Sequence, residues 1–278
     1  MNPSSPGSAP LVSWEAAVLW LKSRSEHQAL VRDCYYDDPL AAAARRFHAG
    51  AEWQAVRAFL PHPLAGMKAL DVGAGLGIAA YALAVDGWDV TALEPDPSCI
   101  VGTGAIQQLM EDTGDLIKVD QEWGERLPYA DATFDIVHAR QVLHHAKDLE
   151  RLCGEVCRVL RPGGIFVATR EHVISREEDL EAFQNSHPLH FLYGGENAHT
   201  LARYEEALQT AGFRIRHVLS PWESDINLFP QAFQDVRSMV ARRLRCPFPR
   251  LIPTWMVHRW SRQLETPGRL YTFVGVKL

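Results

Sequence analysis

The chain has 278 residues, enough for one large domain with a well-buried core. Hydrophobic residues make up 47% and charged residues 22%, an ordinary globular balance. The formal net charge of -6 argues against a binder of nucleic-acid backbone, and no apolar run reaches the ~18 residues of a membrane-spanning helix.

Residues 1–12, opening MNPSSPGSAP, are polar and lack a charged stretch ahead of an apolar block. They are expected to form a disordered lead-in rather than a secretory signal. Residues 13–64 read as a helical extension: one helical stretch from Ser13 to Asp33, then CYYDDPLAAAARRFHAGAEWQAVRAFL with a break at Pro39, closed by Pro61 and Pro63. From residue 65 onward, short apolar runs alternate with helical patterns. MKALDVG is followed by the helix IAAYALAVDG, which Gly87 stops. WDVTALEP, DLIKVD, TFDIVHARQVL, IFVATREH and FRIRHVLS are further strands. PSCIVGTGAIQQLMED, LERLCGEVCRVLRPGG and ARYEEALQTAGF are the intervening helices, and YTFVGVKL ends the chain. Nearly continuous apolar strands alternating with helices predict an α/β, Rossmann-like, doubly wound sheet over 65–278. Two stretches, 174–200 and 221–268, interrupt the alternation and are expected to be cap insertions. Five cysteines (Cys34, Cys99, Cys153, Cys157, Cys246) without CxxC spacing read as reduced thiols of a cytoplasmic protein, with Cys153 and Cys157 on one buried helix face.

The first strand runs into Gly73, Gly75 and Gly77, spaced GxGxG. A dinucleotide fingerprint needs a glycine at position 78, where this chain has Ile78, and a P-loop needs a Gly-Lys pair that is absent. Both phosphate readings therefore lose ground. Glu94 ends the second strand, where an acidic side chain can accept hydrogen bonds from both hydroxyls of a ribose.

ALDVGAGLG, ALEPDPS, GERLPYADATFDIVHARQVLHHAKDL and EVCRVLRPGGIFVATREH, in that order, resemble the class I S-adenosylmethionine-dependent methyltransferases of the small-molecule type 11 group. The resemblance is strong from about Ala65 to Ser175 and looser beyond. It implies a seven-stranded mixed sheet with the last strand antiparallel. It also implies S-adenosylmethionine as methyl donor, S-adenosylhomocysteine as product, and no metal. Gly73, Ala74, Gly75 and Gly77 would bring the main chain close to the methionine portion. Asp71 would support the loop or bridge to the methionine ammonium group. Glu94 would hold the ribose, with Pro95 and Asp96 beside the adenine. The family often has an acidic residue where this chain has Trp123, so the backbone of Gly124 and Glu125 would serve the adenine instead. The backbone of Ala139 and Arg140 would face the methionine end. Tyr35, Tyr36, Phe47 and Trp53 either cover the cofactor or fill the core.

An activated sulfonium methyl needs positioning above all, and a base only when the acceptor must lose a proton. Seven of the twelve histidines fall between His138 and His199. His145, in LHHAKD after the fourth strand, matches a histidine proposed as base in some family members; a structural hydrogen bond is the alternative. His172 is the second candidate base. His144, Arg170 and Glu171, together with His190, Tyr193 and Asn197 from HPLHFLYGGENAHT, are candidates to meet substrate. The same stretch adds His187 and Glu196 to this substrate-facing cap, and a metal site of His187 and His190 with a carboxylate is weighed and set aside. From Gln231 to Arg262, seven arginines face one acid, Asp235, among interleaved apolar residues. This segment is a solvated lid, a closure over an anionic acceptor, or a contact with an anionic membrane surface.

The reading is methyl transfer to a small molecule, anionic or neutral, with oxygen favoured as the acceptor atom. A nicotinamide oxidoreductase is disfavoured by Ile78. A non-catalytic S-adenosylmethionine-binding protein and a methyltransferase acting on protein or RNA stay open, although the NPPY and DPPY motifs of nucleic-acid amino methylation are absent. The oligomeric state is not legible.

Overall fold

A computed structural model describes residues 12–278. Residues 1–11 of the expected lead-in lie outside them. Val12, also assigned to the lead-in, donates its N–H to the Leu192 carbonyl at 2.9 Å.

Eight strands form one sheet: β1 (Lys68–Val72), β2 (Asp89–Leu93), β3 (Ile117–Asp120), β4 (Phe134–Arg140), β5 (Leu160–Ile174), β6 (His199–Thr200), β7 (Phe213–Leu219) and β8 (Arg269–Lys277). Their order is β3-β2-β1-β4-β5-β8-β7, with the two-residue β6 alongside β5. β8 runs antiparallel to both of its neighbours, and all other pairs are parallel. The expected mixed sheet with an antiparallel last strand is what forms; the sequence reading lacked only β6. The chain steps outward from β1 to β3, then returns to place β4 on the other side of β1. That reversal opens a crevice beyond the carboxyl ends of β1 and β4, where doubly wound sheets bind ligands.

The helices are α1 (Trp14–Lys22), α2 (Gln28–Asp33), α3 (Leu40–Ala49), α4 (Ala51–Arg57), α5 (Ile78–Val85), α6 (Thr103–Thr113), α7 (Leu149–Val159), α8 (Leu180–Ser186), α9 (His190–Tyr193), α10 (Leu201–Thr210), α11 (Asp225–Leu228), α12 (Phe233–Arg243) and α13 (Thr254–Ser261). α5 ends where the sequence predicts. Gly87 takes φ 102°, and the N–H groups of Gly87 and Trp88 close on the carbonyls of Ala84 and Leu83, a Schellman stop. α7 starts at Asp148, whose side chain accepts the Arg151 N–H, and buries Leu152, Cys153, Val156 and Cys157 on one face. None of the five cysteines is paired. Among the described residues, no helix is long and apolar enough to cross a membrane.

The N-terminal helices settle on the molecule at two levels. Tyr35, Phe47 and Trp53 are fully buried and share a core with α5, so packing is their observed role. Higher up, Leu21 and Val31 share a small core with Leu189, joined by Trp14, Tyr36 and Tyr193. α1 and the first insertion thus form one roof over the crevice. The second insertion has its own core of Leu228, Val236, Val240, Ile252 and Val257.

A buried ion pair locks the extension to the sheet. Arg140, at the end of β4, donates to the fully buried Glu52 at 2.7 and 3.3 Å. Removing one partner of such a pair leaves the other charged and uncompensated. Glu52→Gln is expected to lower unfolding stability by about 3 kcal/mol, measured by urea denaturation; an unchanged midpoint would show that the pair is not a stabilising anchor.

Candidate active site

One cavity of about 360 Å³ occupies the crevice. Its floor is the loop after β1. Gly75 has φ 53°, and no atom lies within 4 Å of where a Cβ would stand, so the space beside it is open cleft. Gly73 has φ 63°, and a Cβ there would meet Val142 Cγ2 at 2.6 Å. Glycine is required in both places, once for conformation and access and once for a close approach.

Glu94 anchors this loop. Its Oε2 accepts the Gly75 N–H at 2.8 Å and its Oε1 accepts the Asp96 N–H at 3.0 Å. Burial raises its pKa, against the pull of the two N–H donors. Asp71 Oδ1 bonds His138 Nδ1 at 2.8 Å, across the β1–β4 register. Asp71 Oδ2 is buried without a hydrogen-bond partner, in a residue that lines the cavity. His138 was legible only as one of a run of histidines; the parallel pairing of the two strands gives it Asp71.

Ala74, Pro95, Gly124, Glu125 and Arg140 also line the cavity. Trp123 stands at its mouth, 55% exposed, with Lys147 Nζ 4.8 Å from its ring centre. Three predicted cofactor residues are set behind the wall. Gly77 caps α5, tight against Ile106. Asp96 turns its carboxylate to the Ser98 N–H at 2.8 Å. Ala139 is buried within the sheet.

The other end of the cavity is built from histidines. His144, His145, His172 and His187 line it together with Glu196. Glu171 does not: it is fully buried beneath the turn after β4. One carboxylate oxygen accepts the N–H groups of Val142 and Leu143 at 3.0 and 3.1 Å. The other accepts the His144 N–H at 3.1 Å and meets His144 Nδ1 at 2.6 Å. Burial pushes the Glu171 carboxyl up to about 7, although these backbone donors pull it down. Burial holds His144 well below the usual imidazole value, and takes His172 and His187 down to about 4. Those three imidazoles are uncharged at neutral pH.

The expected substrate-facing set is therefore corrected. Arg170 has φ 60°, and its guanidinium turns away to the carbonyls of Ile226 and Phe229 at 2.8 and 3.1 Å. Glu171 is a positioning group for the turn. His190, Tyr193 and Asn197 are not in the cavity wall. Tyr193 packs on Trp14 at 4.7 Å and donates its hydroxyl to Glu196, and Asn197 accepts the Ala198 N–H. Of the cluster in HPLHFLYGGENAHT, it is His187 and Glu196 that line the cavity. Trp14, Leu21, Leu30, Tyr36 and Leu189 supply an apolar roof.

Residues 70–168 match the family model described as a methyltransferase domain. Over these residues the chain carries a methyltransferase domain of the type 11 group. It is 33% identical over 108 residues to a ubiquinone biosynthesis O-methyltransferase of Methylobacterium sp. (strain 4-46), covering 39% of this chain and 42% of that protein. It is 39% identical over 102 residues to the sterol 24-C-methyltransferase ERG6B of Gibberella zeae, covering 36% and 27%. The chain thus spans less than half the length of these curated relatives. Among solved structures, a geranyl diphosphate methyltransferase with GPP and sinefungin aligns at TM-score 0.59 and 15% identity, over 87% of this chain and 83% of that one. The [4+2]-cyclase SpnF aligns at 0.54 and 21%, over 85% and 81%. Likeness at such identities concerns the fold alone.

Glu94→Gln keeps the side-chain volume but replaces one acceptor oxygen with an amide nitrogen. It is expected to leave one loop N–H unpaired and destabilise the glycine loop by about 1–3 kcal/mol. Hydrogen exchange at the Gly75 and Asp96 amides reads this directly; unchanged protection at both would remove Glu94 as the loop's anchor.

Proposed function

We propose that the protein transfers a methyl group from S-adenosylmethionine to the hydroxyl of a small molecule. The observation that carries this reading is one continuous cavity with a glycine loop and buried acid at one end and a cluster of imidazoles at the other. The walls fit the cofactor: open space at Gly75 admits its main-chain contact, and the orphaned Asp71 Oδ2 offers an acceptor to its ammonium group. Glu94 keeps acceptor capacity for ribose hydroxyls beyond its two loop bonds. When bound, S-adenosylmethionine supplies a methyl group already activated on sulfonium sulfur.

The chain's part is then to position the acceptor, exclude water and take a proton. We assign the proton to His145. Its ring is exposed at the cavity, and Nδ1 faces the Gly195 carbonyl at 3.2 Å. A carbonyl only accepts, so Nδ1 carries the hydrogen and Nε2 keeps its lone pair for a hydroxyl. The roof of Trp14, Leu21, Leu30 and Leu189 favours an acceptor with an apolar body. The names of the curated relatives, one acting in ubiquinone biosynthesis and one on a sterol, agree with that class. Because a cyclase shares the fold, methyl transfer itself must be measured.

Calorimetric titration is expected to give micromolar binding of S-adenosylmethionine and none of NAD. Labelled-methyl transfer to hydroxylated apolar acceptors should then fall about 100- to 10,000-fold in His145→Ala, with cofactor affinity nearly unchanged. No cofactor binding by folded protein would move the non-catalytic reading forward; equal loss of turnover and cofactor affinity in the variant would make His145 structural.

We further propose that the second insertion touches anionic membrane. Leu244, Phe248, Leu251 and Trp255 are exposed, the last three by 63–69%, among the exposed Arg242, Arg243, Arg245, Arg250 and Arg259. None of these residues lines the cavity, which argues against closure over an acceptor. Apolar side chains ringed by arginines suit an anionic lipid interface, where each basic residue contributes about 1 kcal/mol. The protein should co-sediment with phosphatidylglycerol vesicles, less so in Trp255→Ala and in high salt; equal recovery with phosphatidylcholine alone, or none with either, would reject the contact.

A further inference from the structure

Glu196 lies in the wall of the acceptor end and is 5% exposed. A buried carboxylate is normally paired with a cation or coordinates a metal. Among the described residues, no lysine or arginine pairs with it. Its neighbours are the Tyr193 hydroxyl, which donates to it, His187 Nδ1 at 3.5 Å and His144 Nε2 at 4.0 Å.

The surrounding imidazoles are held from behind. His144 Nδ1 is fixed on the Glu171 carboxylate at 2.6 Å, and His172 Nδ1 on the Gly268 carbonyl at 2.8 Å. In both rings Nδ1 is the donor, and Nε2 is left with a lone pair. Outer-shell carboxylates and carbonyls set metal-binding histidines in this way. The rings are close: His144 and His172 have centres 4.8 Å apart, His172 and His187 5.9 Å. His172, His187 and Glu196 bring one ligand atom each within 4.8 Å of one another. Ligand atoms around a tetrahedral ion stand about 3.3 Å apart, so the partly exposed His187 would move toward His172 and Glu196 on binding.

We propose that Glu196, His172 and His187 form a binding site for a divalent first-row transition ion. The donor set of imidazole and carboxylate suits Zn²⁺, Co²⁺ or Mn²⁺; Mg²⁺ prefers oxygen and water. His145 makes a second trio with His144 and Glu196, but it lies exposed at the rim and keeps its role as the base. An ion here puts a fixed positive charge beside the acceptor end of the cleft, balancing the Glu196 carboxylate. The site stands on these residues alone, independent of the methyl-transfer reading.

The test uses the full chain, stripped with a chelator, without cofactor or acceptor. Titration with Co²⁺ should give one equivalent of binding and intense visible absorption of a four- or five-coordinate site. Zn²⁺ should displace it, and Mg²⁺ should not. Glu196→Gln and His187→Gln should each weaken Zn²⁺ binding by about 100-fold or more, while His258→Gln, beside Glu223 and outside the cavity, should leave it unchanged. If Glu196→Gln does not fold by circular dichroism, the partly exposed His187 carries the test. The proposal is overturned by no saturable Co²⁺ or Zn²⁺ binding, or by binding that persists in the folded His187→Gln protein.

Discussion

The carboxylate of Glu171 holds the centre of this structure together. It gathers three backbone N–H groups and one imidazole, and so fixes the turn from Val142 to His144. That turn faces two ways. Val142 presses against Gly73 on the cofactor side, where there is no room for a Cβ. His144 presents Nε2 to the acceptor side. A single buried acid therefore sets the spacing between the two ends of the cleft. Satisfied by four donors, it is a group whose burial is compensated rather than merely tolerated.

The acceptor side depends on long-range packing. α1 contributes Trp14 and Leu21, and the first insertion contributes His187, Leu189 and Glu196. These segments lie more than 150 residues apart in sequence, yet Trp14 meets Tyr193 edge-on at 4.7 Å, and Tyr193 bonds Glu196. The roof's packing is thus continuous with the polar pocket below it. One phenol links the N-terminal helix to the carboxylate by direct contact on both sides.

The sheet, the glycine loop, Glu94 and the LHH turn were legible because each follows a local rule. Strand runs are apolar, a tight loop needs glycine, and an acid ends the second strand. The strand end at Arg170-Glu171-His172 was misread because strand geometry changes there. The β5–β8 register shifts between Ala168 and Glu171, and Arg170 adopts a positive φ. Arg170 turns to α11, Glu171 passes under the turn, and only His172 reaches the cavity. No periodicity reports such a bulge. Within HPLHFLYGGENAHT the residue types pointed to a polar pocket. Which of them face inward was decided by α9, a single helical turn whose orientation comes from packing against α1.

The cavity walls divide along the chain. Asp71, Gly73, Gly75, Glu94, Gly124 and Arg140 all fall inside residues 70–168, the stretch shared with other methyltransferase domains. Trp14, Leu21, His172, His187, Leu189 and Glu196 fall outside it, and of the histidine end only His144 and His145 fall inside. A change in the flanking segments can therefore reshape the roof of the chamber without touching the wall around the glycine loop. The helical roof is the replaceable part of this molecule, and the sheet with its glycine loop is the chassis on which it is mounted.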